Sequence, residues 1–199
     1  ENSIDAGAVS IKVAVVGNGS GLISVADDGS GMSRDDALLA IERHATSKIR
    51  DVDDIEHIGT FGFRGEAMAA TTSVSRFRLQ TAERGSASGT EVTVSGGKIQ
   101  DVREIGCPPG TVVEVRDLFF NVPARRKFLR SGQTELAHLR QVFLVHALAH
   151  PAVALVLNVD GREVYRLAGG ATLEQRIREL FDAEYRRQLL PVDFVRDAV

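Results

Sequence analysis

A single cysteine, Cys107, stands in 199 residues. That count excludes an internal disulfide framework, disfavours a structural zinc site and fits a reducing compartment. No apolar run approaches the roughly 20 residues that a membrane span requires. Charge is nearly balanced, with 24 Lys and Arg against 27 Asp and Glu for a net −3. The chain as a whole therefore exerts no pull toward nucleic acid, and any such binding must rest on a local patch. His57, His138, His146 and His150 form no metal-ligand grouping, although His146 and His150 stand one helical turn apart. There is no Walker A order, no Gly-x-Gly-x-x-Gly after a strand and no arguable Ser–His–Asp set. Internal repeats and low-complexity segments are also missing.

What remains is an ordinary globular composition, 43% hydrophobic and 26% charged. The length suits one good-sized domain, or one domain and part of a second. In "ENSIDAGA", Asn2 and Asp5 share the face of a short helix that Gly7 stops. Ala8–Val16 alternates as a strand with Val9, Ile11, Val13 and Val15 on one face, and "GNGSG" (17–21) turns into a second strand, Leu22–Ala26. Ser33 and the acidic pair Asp35 and Asp36 open a helix expected to run to about His44. Residues 45–65 carry no steady period and read as a long loop, followed by a short helix over about Glu66–Thr72.

Strands are predicted at Ser75–Thr81, Glu91–Val94 and Thr111–Val115. Thr134–His150 reads as a helix with Leu136, Leu139, Phe143, Leu144 and Ala147 on one stripe. A hairpin turns at Asp160-Gly161, a pair suited to a type I′ turn. A last helix begins at Thr172 with a capping box to Gln175 and an apolar stripe of Leu173, Ile177, Leu180 and Phe181. The mixture of hairpins and helices predicts an α+β two-layer sandwich: a mostly antiparallel mixed sheet with helices on one face. The last helix follows Gly169-Gly170 without an evident partner, so residues 1–168 are expected to form one domain and 169–199 the beginning of a second.

Four stretches carry chemistry. In "ADDGSGM" (26–32), Asp27 ends a strand where it can accept from an exocyclic amine, and Gly29 and Gly31 would let a planar ring lie on bare backbone. Taken alone this is also a common strand-end turn. In "RHATSKI" (43–49), Thr46, Ser47 and Lys48 offer two hydroxyls and an ammonium to phosphate, or simply a solvated helix end. In "TFGFRGEAMA" (60–69), Gly62, Phe63, Arg64, Gly65 and Glu66 lead into a helix, presenting backbone N–H groups to an anion. In "FFNVPARRKFLR" (119–130), Arg125, Arg126, Lys127 and Arg130 lie among Phe119, Phe120 and Phe128. The plainer reading there is aromatic anchors in the core with a solvated basic rim; the other is contact with phosphate.

Together, "ENSIDAGA", "DDGSGM", "RHATSKI", "GFRGEAMA", Gly110-Thr111 and "NVPARRKFL" resemble, in order and spacing, the N-terminal ATPase region of the MutL mismatch repair family. That region belongs with gyrase B, Hsp90 and the histidine kinases, and the likeness spans roughly residues 1 to 168. The resemblance implies a Bergerat-type ATP-binding fold with ATP and Mg²⁺ as cofactors. Asn2 would hold the metal, Asp27 would take the adenine amine, Gly29 and Gly31 would lie beneath the ring, and Thr111 would stand beside it. Thr46, Ser47 and Lys48 would belong to the ATP lid, and Gly62 to Glu66 would reach the phosphates. Arg125, Arg126, Lys127 and Arg130 are candidates for contact with DNA.

The resemblance also implies a general base one helical turn before Asn2, and a lysine from a second domain at the γ-phosphate. Glu1 does not fill the first role, because adjacent helix residues point about 100° apart. By itself, then, this chain is expected to bind nucleotide weakly and not to hydrolyse it. The implied partners are mismatched DNA, the mismatch-recognition protein MutS and a second copy brought in by ATP. The implied location is the bacterial cytoplasm beside the nucleoid, or a nucleus, with no membrane. Two alternatives stay open: another ATP-driven clamp of the fold group, such as a type II topoisomerase or Hsp90, and a decayed nucleotide-binding module.

Overall fold

The computed structural model describes residues 1–42 and 67–190. Its elements are α1 (Asn2–Asp5), β1 (Ser10–Val16), β2 (Leu22–Asp27), α2 (Arg34–Leu39), α3 (Ala67–Ser73), β3 (Arg76–Ala82), β4 (Gly89–Ser95), β5 (Lys98–Ile105) and β6 (Gly110–Arg116). There follow α4 (Pro123–Arg126), α5 (Gly132–Ala149), β7 (Ala154–Val159), β8 (Arg162–Leu167), α6 (Leu173–Leu180) and α7 (Ala183–Arg187). The strands form one eight-stranded sheet in the order β5-β4-β3-β6-β2-β1-β7-β8. Every pairing is antiparallel except β1 with β7, so the expected α+β sheet is found.

Register explains where the core lies. Because side chains alternate faces, paired residues form rows that cross the sheet on one side. One row runs Val94, Phe77, Val115, Ile23, Val15, Val159; the next runs Val92, Leu79, Val113, Val25, Val13, Leu157. The helices cover this face in two patches. Under α5, Phe143 and Ala147 pack on Val15, Leu155 and Leu157, joined by Ile4 of α1 and Leu180 of α6. Beyond the middle of the sheet, Ala37 of α2 with Ile41, and Met68 of α3, pack on Phe77, Leu79, Val92 and Val94. Among the described residues, the stretch between the two patches, at the ends of β2 and β6, is the least covered by helices.

Several local expectations hold for chemical reasons visible in the structure. Ser33 caps α2 by accepting from the Asp36 amide, and Thr172 and Gln175 form the capping box of α6. Asp160 and Gly161 both take positive φ, as a type I′ turn requires. The second helix stops at Leu39, short of the expected end near His44, which lies outside the described residues. The short helix begins at Ala67 and ends at Ser73; Glu66, where it was expected to begin, is outside them too.

Strand β5 was missed. Its sequence, KIQDVREI, shows no clean alternation because it is a largely exposed edge strand, and charged side chains there discourage pairing with another sheet.

The helix expected to begin at Thr172 is α6, and it packs on its neighbours. Arg176 is fully buried, and one of its Nη atoms donates to the carbonyls of Pro151, Val153 and Ala168 at 2.7, 3.0 and 2.7 Å. Its Nε lies 3.6 Å from a Glu179 carboxylate oxygen. Neither Nε nor the other Nη has a hydrogen-bond partner. The guanidinium thus pins α6 to the turn after α5 and to the end of β8.

On the open face, Glu91 is 2% exposed yet ionisable. Arg78 and Arg103 reach it through 2.6 and 2.5 Å contacts, and Gln80 donates at 2.8 Å. Burial pushes its carboxyl upward, but the hydrogen bonds from Arg78, Arg103 and Gln80 outweigh that and hold it below the ordinary range. A lowered folded value stabilises the protein above the unfolded pKa of about 4.3 and is lost as pH falls through the folded one. Glu91→Gln should therefore cost about 1–3 kcal/mol at pH 7, with the gap to wild type shrinking as pH drops below about 4. Urea denaturation at both pH values measures this; an equal gap at both would contradict it.

Candidate functional site

The two apolar rows end in a polar one. Thr90, Thr81, Thr111 and Asp27 pair in sequence across β4, β3, β6 and β2, on the same face as the core. Each strand thus keeps its alternation but exchanges an apolar residue for a hydroxyl or a carboxylate at one level of the sheet. In an otherwise apolar face this is a cost unless every group is hydrogen-bonded.

They are bonded. Asp27 accepts from the Ser3 hydroxyl at 2.7 Å on one oxygen and from the Gly29 amide at 3.0 Å on the other. Thr81, 1% exposed, accepts from the Met32 amide at 2.9 Å and lies 3.0 Å from both the Gly110 carbonyl and the Thr111 hydroxyl. Asp27 and Thr111, directly opposite one another, are only partly buried. Each front group that reaches the surface is therefore backed by a buried hydroxyl, Ser3 behind Asp27 and Thr81 behind Thr111.

The loop after β2 is held tightly to its neighbours. The Ser30 amide donates to Ala6 at 2.9 Å, and the Asp28 carboxylate accepts from the Val9 and Ser10 amides at 2.9 Å each. Gly29 and Gly31 also have a packing role. A Cβ on Gly29 would stand 2.8 Å from that of Ala6, and one on Gly31, at φ +70°, would sit 1.8 Å from the Ala82 carbonyl oxygen. Backbone meets backbone there, which draws α1, the loop and the end of β3 together around Asp27.

Asn2 is exposed on the single turn of α1, next to the inward-pointing Ser3. A side-chain amide oxygen is a hard donor, and one such ligand with waters and phosphates suits Mg²⁺. Thr46, Ser47, Lys48, Gly62, Phe63, Arg64, Gly65 and Glu66 lie outside the described residues. Ser3 and Thr81 were missed. Nothing local marks them, but the alternation of polar for apolar at the ends of β2, β3, β4 and β6 would have placed Thr81 in the row.

The basic stretch sits elsewhere. Arg125 and Arg126 of α4, then Lys127, are exposed, and Phe128 is 85% exposed instead of anchoring the core. Phe120 keeps a partner in the Arg76 guanidinium, 5.2 Å from its ring centre. Arg130 is engaged locally: its amide donates to Glu135 at 2.9 Å and its guanidinium lies 3.2 Å from His138. His146 and His150 stack at 6.2 Å, with burial chiefly holding His146 below its ordinary range. Among the described residues there is no cluster fit for a metal, and no helix is long and apolar enough to cross a membrane.

Comparison with known proteins identifies the family and the fold. Residues 1–116 match the family described as histidine kinase-, DNA gyrase B-, and HSP90-like ATPase. The DNA mismatch repair protein MutL of Opitutus terrae is 52% identical over all 199 residues, and that of Anaeromyxobacter sp. strain K is 51% identical. The chain spans about a third of the length of these curated relatives (32% and 33%). Among solved structures, the Aquifex aeolicus MutL ATPase domain complexed with ADP aligns with a TM-score of 0.70 at 34% identity, over 90% of this chain and 63% of that one. The N-terminal domain of a DNA repair protein aligns with a TM-score of 0.80 at 23% identity, over 97% of this chain and 57% of that one, a likeness of fold. This chain belongs to the histidine kinase-, DNA gyrase B- and HSP90-like ATPase family, and the relatives it matches there are MutL proteins.

Proposed function

We propose that the protein containing this chain is a mismatch repair ATPase of the MutL type, and that Asp27 and Thr111 receive the adenine of ATP. The observation that carries the reading is the polar row at the edge of an apolar face: hydrogen-bonded behind, partly open in front. Its similarity to a MutL domain complexed with ADP supports a nucleotide there. Relatives named MutL at about half identity favour this reading over a topoisomerase- or Hsp90-like clamp. The bonded set of Asp27, Thr81 and Thr111 argues against a decayed module.

In this reading Asn2 supplies an oxygen to Mg²⁺, which when bound would neutralise charge on the triphosphate. Ser3 and the Gly29 amide orient the Asp27 carboxylate. Thr46, Ser47, Lys48 and the Gly62 to Glu66 loop would hold phosphates. Hydrolysis, pairing of two copies on ATP, and work with MutS on DNA in the cytoplasm are assigned to the whole protein. Residues 169–199 would begin a second domain, fastened to the first through the buried Arg176 of α6.

Two outcomes follow for the chain itself. Asp27→Asn should weaken ADP binding at least tenfold, by about 1.5–3 kcal/mol, since an amide presents hydrogens where the base brings its own. Calorimetric titration reads this, with a melting curve to show that the variant is folded; unchanged affinity would remove the adenine assignment. For DNA, the exposed trio of Arg125, Arg126 and Lys127 is the part of the basic stretch free of the Arg130 contacts. Changing the trio to Ser should lower duplex affinity and reduce the slope of log K against log salt by up to about 2.7. An unchanged slope would place DNA contact elsewhere.

A further inference from the structure

A carboxylate by itself does not separate the purines. It accepts from the 6-amino group of adenine, yet it also accepts from the N1–H of a 6-oxopurine after a small shift of the base. Discrimination needs a second group of fixed hydrogen-bond sense, and the hydroxyl pair behind the row supplies one.

The Thr81 hydroxyl has one proton and two lone pairs. It meets three partners: the Met32 amide at 2.9 Å, the Gly110 carbonyl at 3.0 Å and the Thr111 hydroxyl at 3.0 Å. The amide can only donate to it, and the carbonyl can only accept from it. Two oxygens 3.0 Å apart in a site 1% exposed repel unless a proton lies between them, so the Thr81 proton goes to Gly110. One lone pair is left, and Thr111 must fill it by donating its own proton inward. The Thr111 oxygen then faces the site with lone pairs alone. On the Asp27 side the sense is the same, because the Ser3 hydroxyl and the Gly29 amide both donate to the carboxylate.

We infer that Thr81 is a specificity-determining residue: by taking the Thr111 proton it makes the row an acceptor-only edge that admits a 6-amino purine and rejects a 6-oxo one. This rests on the adenine reading above. A base with an amine at C6 brings hydrogens to both acceptors, whereas a 6-oxopurine sets its O6 against a lone pair of Thr111. In Thr81→Val the Met32 amide loses its acceptor, and the Thr111 hydroxyl becomes able to turn outward and donate to O6.

The test compares ADP with inosine diphosphate, which differ at C6, by titration into the 199-residue chain with Mg²⁺. Wild type should favour ADP, and Thr81→Val should narrow that preference by about tenfold, mainly through better inosine diphosphate binding. Thr81→Ser keeps the hydroxyl and should keep the wild-type ratio. If Thr81→Val does not fold, Thr81→Ala decides, since it also removes the hydroxyl that takes the Thr111 proton and should also narrow the ratio. A folded Thr81→Val or Thr81→Ala with the wild-type ratio overturns the inference while the adenine reading stands. Failure of wild type to bind ADP overturns both.

Discussion

Because neighbouring strands pair residue for residue, a slip of one position in β2, β3 or β6 would turn Asp27, Thr81 or Thr111 to the opposite face of the sheet. The same slip would lift Val25, Leu79 or Val113 out of the core. Core and site are thus fixed by one constraint, and the burial of two apolar rows sets the position of the polar one. A binding edge built on ladder geometry varies less than one built on loops. Among the described residues, the helices on either side leave the middle of the sheet only partly covered, and there Asp27 and Thr111 reach the surface.

A polar row at the margin of an apolar face is tolerated only because of what stands behind it. An unpaired buried hydroxyl or amide costs about 1–3 kcal/mol, and Thr81 alone satisfies a backbone amide, a backbone carbonyl and a second hydroxyl. Close approach of backbones does the rest. Gly31 lies against Ala82, and Gly29 against Ala6. Through these contacts the turn of α1 that carries Asn2 and Ser3 is held at fixed distance from Asp27. The proposed metal ligand, Asn2, and the proposed base acceptor, Asp27, thus share one rigid frame although they stand on separate elements.

Much of this was legible in the sequence. The strands β1 and β2, the Asp160-Gly161 turn, the capping box at Thr172 and, of the α5 stripe, Leu136, Leu139, Phe143 and Ala147 each follow from local chemistry, and the structure has them. Asp27, Gly29 and Gly31 were marked by residue type at a strand end, and Thr111 by the resemblance alone; the close packing of the two glycines was not legible. What could not be read lies in tertiary context. Strand β5 has no buried face to impose a period, and Arg176 looks like any charged helix position until three carbonyls surround it. Ser3 and Thr81 acquire meaning only across 24 and 30 residues of separation, from their partners Asp27 and Thr111. Phe128 has the residue type of a core anchor, yet it stands exposed just after the short α4.

The central claim is that Asp27 and Thr111 together form the receiving edge for adenine. A crystal structure of the 199-residue chain grown with ADP and Mg²⁺ addresses it most directly. The account predicts the adenine 6-amino nitrogen about 3 Å from an Asp27 carboxylate oxygen, with Thr111 at the same edge of the ring. Adenine bound away from the row, or presenting its sugar edge to Asp27, would contradict it.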